Sequence, residues 1–101
     1  MALQINSTDN AKIKLHPSGD ELASVYGKYS FKIFDGYGVC NGGIYENATT
    51  AAQEQPLATK LKARQILIKV DEGQTDNLSL HTKLKEYYEG LGYTVSILDI
   101  W

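Results

Sequence analysis

Residues 65 to 98 constrain the fold more than any other passage. Gln65-Ile66-Leu67-Ile68-Lys69-Val70 has the apolar, β-branched content of a strand, and Tyr93-Thr94-Val95-Ser96-Ile97-Leu98 reads as a second. Between them a polar turn from Asp71 to Asn77 leads into an amphipathic stretch, Leu78 to Leu91. On it Leu80, Leu84, Tyr87, Tyr88 and Leu91 fall along one broad stripe, with Lys83, Lys85 and Glu86 on the wet side. Asp76 or Asn77 supplies an N-cap, and Gly92 stands where a left-handed C-cap is wanted. The passage reads as a β-α-β unit, which fixes a fold class and carries no recognisable reaction chemistry.

The preceding residues read as an antiparallel β-meander. Leu3 and Ile5 alternate with Gln4 and Asn6, Asn6-Ser7-Thr8-Asp9-Asn10 supplies turn chemistry, and Ile13 and Leu15 alternate with Lys12 and Lys14, which suggests a hairpin. His16-Pro17-Ser18-Gly19-Asp20 breaks the pattern. A strand is expected within Leu22 to Phe34, with Tyr29, Phe31 and Ile33 on one face and Ser30 and Lys32 on the other. Asp35-Gly36-Tyr37-Gly38 is a turn, and Val39 to Tyr45 returns as a strand weakened by Gly42 and Gly43. From Asn47 the composition changes to a poorly apolar connector, and Pro56 at N1 suits a short helix from Leu57 to about Arg64. The expectation is one α+β domain over residues 1–101: a β-rich part at 1–46, a connector and short helix at 47–64, and the β-α-β part at 65–101.

Apolar residues at 43% and charged residues at 22% are those of a globular chain, large enough for one core and no second. A net charge of −2 with scattered basic residues argues against a nucleic-acid binder held by phosphate attraction. Cys40 is the sole cysteine, which excludes an internal disulfide and a cysteine-rich zinc site. No stretch has the length and apolarity of a membrane span, and residues 1–6 lack a leader pattern, so synthesis in the cytosol is expected. The Asn-x-Ser/Thr triplets at Asn6, Asn47 and Asn77 are then chance.

Several residues could carry chemistry, and each has a structural alternative. Asp71, Glu72 and Asp76 follow a buried strand, where a metal-dependent nuclease keeps its ligands, but acids in one turn before a helix also stabilise its N-terminus. Cys40 with His16 or His81 could form a nucleophile and base, yet a lone cysteine behaves more often as a small buried hydrophobe. Gly36, Gly38, Gly42 and Gly43 lack the lysine and the helix of a phosphate loop and read better as a hairpin. Tyr26, Tyr29, Phe31, Phe34, Tyr37 and Tyr45 are interleaved with Lys28 and Lys32 like a stacking platform, but most of Tyr29, Phe31 and Ile33 are needed in the core, which leaves Tyr26, Phe34 and Tyr37 as the rings to expose. Tyr26, Phe34, Tyr37, Tyr45 and Trp101 are the candidate interface; no catalytic, metal-binding or cofactor-binding residue is assigned.

The run LKEYYEGLGYTVSILDIW, Leu84 to Trp101, with ILIKVDEGQTDNLS before it, resembles the C-terminal segment of small structural proteins of tailed bacteriophages, the tail, neck and head-associated components. In those, a helix ends in a Leu-Gly-Tyr-x-Val step, enters a strand and stops near a terminal Trp. The resemblance covers roughly the last 35 to 40 residues, and here Leu98-Asp99-Ile100 replaces a longer polar turn before Trp101. It implies a non-enzymatic virion or assembly protein, in the particle or the host cytoplasm, acting on protein partners as a homo-oligomer or beside other virion proteins. A small inhibitor of a host protein is the next reading, and a nuclease the third.

Overall fold

The computed structural model describes residues 1–15, 18–47, 56, 59 and 61–99. The long antiparallel hairpin at its centre follows from an Asp-Gly turn. Strand β4 (Ser24–Phe34) and strand β5 (Tyr37–Tyr45) pair from Tyr26↔Tyr45 to Phe34↔Tyr37. The two residues between them, Asp35 and Gly36, have φ of 50° and 76°, the paired positive angles of a type I′ turn, whose twist matches that of the strands it joins.

Around this hairpin the other strands complete a five-stranded antiparallel sheet in the order β6-β5-β4-β1-β7, where β1 is Ala2–Asn6, β6 is Ile66–Lys69 and β7 is Thr94–Leu98. Two short strands, β2 (Ile13–Lys14) and β3 (Glu21–Leu22), form a separate ribbon. The hairpin expected between Leu3 and Leu15 is therefore corrected. β1 pairs with β4 and β7, and Ile13–Lys14 pairs with Glu21–Leu22. Ser7 holds the two systems together, its hydroxyl donating to the Leu22 carbonyl at 2.6 Å and accepting from the Ile13 N–H at 2.9 Å.

Helix α1 (Asn77–Gly90) crosses the inner face of the sheet. Asp76 caps it by accepting from the Ser79 N–H, and at the far end the Gly92 and Tyr93 N–H groups return to the Glu89 and Tyr88 carbonyls, a Schellman closure with Gly92 at φ 105°. The β-α-β reading is corrected in its topology: β6 and β7 lie at opposite edges, with three strands between them. A flat five-stranded sheet is about 19 Å across, wider than a helix of about 10–12 Å. Because α1 touches both β6 and β7 as well as β1, the sheet curls around it.

Leu3, Ile5, Val25, Cys40, Ile44, Ile66, Ile68 and Val95 meet Leu80, Leu84 and Tyr88 in the resulting core. Leu91, expected in the helix stripe, is exposed beyond the last turn, and His81 is buried in its place. Among the described residues of 56–64 none is helical: Thr59 makes an isolated bridge with Leu15, and Leu61–Arg64 run irregularly along β5, where Ala63 accepts from the Gly42 N–H at 2.7 Å. The rest of the expected connector and helix, with His16, Pro17 and Trp101, lies outside the described residues.

Glycine in β4 and β5 is a packing requirement. Tyr29 lies back over Gly27 and across onto its register partner Gly42, so a Cβ at Gly42 would stand 2.2 Å from the Lys28 carbonyl oxygen and 2.6 Å from the Tyr29 ring. Gly42→Ala is expected to cost about 1–3 kcal/mol, from overpacking against backbone that cannot yield. Gly90→Ala, where a Cβ meets nothing within 4 Å, should leave stability unchanged or raise it by up to about 1 kcal/mol. Urea denaturation of the two variants beside wild type measures both.

Candidate contact surface

The residues that a strand pair exposes are set by alternation, and here the alternation sorts aromatic rings and lysines onto the face away from α1. Tyr26, Lys28, Ser30, Lys32 and Phe34 of β4 stand beside Tyr45, Gly43, Asn41, Val39 and Tyr37 of β5. Leu67 and Lys69 of β6 extend the same rows through Val39↔Leu67 and Tyr37↔Lys69. Four of the candidate interface residues thus form two cross-strand pairs on one face. Tyr26↔Tyr45 is half-buried, whereas Phe34↔Tyr37 is 51% and 43% exposed. No described element of secondary structure packs over Phe34 and Tyr37.

Inside the fold, the polar groups close on one another. The Tyr88 hydroxyl donates to the Lys62 carbonyl, and this leaves Tyr29 to donate to the Tyr88 oxygen at 2.7 Å. Burial raises both phenols above their ordinary range, so they remain protonated donors at neutral pH. Cys40 is fully buried on the same face, and burial pushes its thiol up to about 11, which removes the thiolate that nucleophilic chemistry needs. His81, 1% exposed, has its Nδ1 2.7 Å from the Asn77 carbonyl and its ring edge-on to Phe31 at 4.9 Å. Donation from Nδ1 makes Nε2 the unprotonated nitrogen, and Nε2 has no hydrogen-bond partner among the described residues.

The acids of the 71–76 turn each have a local use or face water. Asp76 is the N-cap, and its bonds to the Ser79 hydroxyl and N–H hold its carboxyl below the usual carboxylate range. Asp71 pairs with Lys83 at 3.4 Å, and Glu72 is exposed. Among the described residues no three His, Cys, Asp or Glu side chains gather in a group that could hold a metal ion, and no helix is long and apolar enough to cross a membrane. The glycines read against a phosphate loop fall in the turn (Gly36) and within β5 (Gly38, Gly42, Gly43).

Sequence reasoning missed His81 as a core residue, although its spacing with Leu84 and Tyr88 places it on the buried stripe; a polar residue type masked a position that the helical period marks. It also missed Leu67 as part of the exposed face, because a strand bordered by Ile66 and Ile68 reads as buried on both sides. Comparison with protein-family models, with curated proteins and with solved structures found no match.

Removing the Tyr88 hydroxyl strands both the Lys62 carbonyl and the Tyr29 donor, whereas removing that of Tyr29 strands nothing that Tyr88 gives. Tyr88→Phe is expected to lose about 1–3 kcal/mol and Tyr29→Phe less, readable by chemical denaturation. His81 gives a pH dependence of known sign. Burial lowers its pKa below 6.5, against the opposing bond to Asn77 and with a smaller push from the Met1 amine. The unfolded chain therefore takes up the proton first as the pH falls, so stability is full above 6.5 and declines below it. His81→Leu should flatten the slope just below pH 6.5 in thermal melts, while the loss due to Asp76 appears separately, below its ordinary value of 3.8.

Proposed function

We propose that this protein works by contact and not by catalysis, as a structural or assembly protein whose outer β4–β5–β6 face binds another protein surface. The observation that carries this reading is the Phe34↔Tyr37 pair, two large rings side by side on a sheet face that no described element covers. Aromatic side chains concentrate at the energetically dominant centres of interfaces, because they bury much area at small cost in side-chain entropy. The remaining chemistry-bearing groups support the same reading, since the thiol is sealed in the core, Asp76 caps the helix and Asp71 pairs with Lys83. The C-terminal resemblance adds the setting: a phage particle, or the cytoplasm of its host during assembly.

Cross-linking the tagged protein in its native setting, followed by mass spectrometry of purified particles and of the soluble fraction, tests this reading. Phe34→Ser with Tyr37→Ser should cut partner recovery at least about tenfold while the melting profile stays close to wild type. Unchanged recovery removes the face from the proposal. Recovery of one soluble host protein, and nothing from particles, replaces the virion role with that of an inhibitor.

A further inference from the structure

The central hairpin outruns its neighbour on one side. β1 lies beside β4 only from Ser24 to Gly27, whereas β4 continues to Phe34; across the hairpin, β6 accompanies β5 along Tyr37 to Cys40. The alternation of hydrogen-bonded pairs fixes where the overhanging backbone points. The Gly42 N–H bonds the Ala63 carbonyl and the Gly36 carbonyl takes the Val70 N–H, so even-numbered residues here turn their backbone groups to the β6 side. Odd-numbered residues of β5 therefore face β4, where Tyr37 pairs with Phe34 and Val39 with Lys32. The odd-numbered residues of β4 are left aimed the other way. Of these, Val25 and Gly27 meet Ile5 and Leu3 of β1, while Phe31 and Ile33 meet no strand among the described residues. Their N–H and C=O groups line an open notch in the line of β1.

The chemistry of the notch selects its occupant. A row of unpaired N–H and C=O groups is matched in spacing only by the backbone of another extended chain. On the helix side Phe31 lies edge-on to His81; Ile33, nearer the turn, is exposed, as is Leu78 three residues before His81. An incoming strand sets alternate side chains against this apolar floor. On the outer side Lys32 stands opposite its other side chains, with Lys28 on the diagonal, and neither lysine has an ion-pair partner among the described residues. Asp35 lies past the last strand pair, in the turn. Pairing with β4 of a second copy would bring the same two lysines to the same face. The charges thus favour an acidic strand from a different protein.

Resting on the contact reading above, we propose that the edge of β4 at Phe31 and Ile33 accepts an extended segment of a partner protein. Its apolar residues alternate toward α1, and its carboxylates lie beside Lys28 and Lys32. The segment adds a strand in line with β1, from which the contact continues round the hairpin end to Phe34 and Tyr37.

Amide exchange and NMR titration of the full chain test the proposal with two capped peptides, Glu-Val-Glu-Val-Glu-Val and Lys-Val-Lys-Val-Lys-Val. In the free chain the Phe31 and Ile33 amides should exchange freely, while that of Lys32, turned to β5, is protected. The acidic peptide should slow both free amides, and the basic one should bind at least about tenfold more weakly. Lys32→Glu should invert that preference, which a merely unfolded chain cannot do. Ile33→Pro removes a donor that faces the notch and none that β5 uses, so peptide binding should vanish with the far-UV spectrum unchanged. Phe31 and Ile33 amides already protected in the free chain, no binding of the acidic peptide up to about 1 mM, equal binding of the two peptides, or binding untouched by Ile33→Pro each overturns the added strand. Where it is overturned and Phe34→Ser with Tyr37→Ser still costs the cross-linked partner, the contact reading stands without it. Loss of neither signal ends both.

Discussion

The ring of Tyr29 is the constraint on which the rest of the structure turns. It can lie flat on the sheet only because Gly27 precedes it on its own strand and Gly42 faces it on the next. Lying there, it covers backbone that would otherwise be thinly packed and brings its hydroxyl to Tyr88 in the helix, whose own proton goes to the Lys62 carbonyl. One side chain thus joins sheet, helix and the segment leading into β6. Buried hydroxyls cost free energy unless paired, so the chain of donors also fixes how α1 is seated.

A sheet with one helix covers one of its faces. Here α1 takes the face that carries Leu3, Ile5, Cys40, Ile66 and Val95, and the opposite face is finished with lysines, Ser30, Asn41 and rings. Lys28 and Lys32 keep that face hydrated along β4, with the half-buried Tyr26 and Tyr45 at one end of the pair and the exposed Phe34 and Tyr37 at the hairpin end. The two faces thus differ in kind, one packed against the helix and the other carrying lysines, small polar residues and rings.

Local features were legible in the sequence, and long-range ones were not. The helix, its Asp76 and Gly92 caps, the β4–β5 hairpin and the placing of Ser30 and Lys32 opposite Tyr29 and Phe31 all follow from period, capping and turn chemistry, each written within a few residues. Alternation tells a strand which side faces inward and not which strand lies beside it. That is why Leu3 and Ile5 read as one arm of a hairpin with Ile13 when they pair instead with Val25, Gly27, Val95 and Ile97. At the described residues before Arg64 the expected helix gives way for a related reason: the spacing of Leu57 and Leu61 fits a helix, but the Ala63 carbonyl serves the Gly42 N–H and Thr59 bridges to Leu15. Of the rings proposed for contact, Tyr37, expected inside a four-residue turn, instead opens β5 opposite Phe34, and the sequence carries no sign that Leu67 joins them from across β5.

The position of β1 carries a consequence for biosynthesis. Residues 24–45 can close their hairpin as soon as they leave the ribosome, and β1 then has one neighbour ready. Its other neighbour is β7, with Ile5 opposite Val95, a separation of 90 residues. Until that strand is made, the second edge of β1 stays open and its backbone groups on that side lack their final partners. Pairing so distant in sequence makes for slow maturation, with an interval in which the nascent sheet is sticky along that margin.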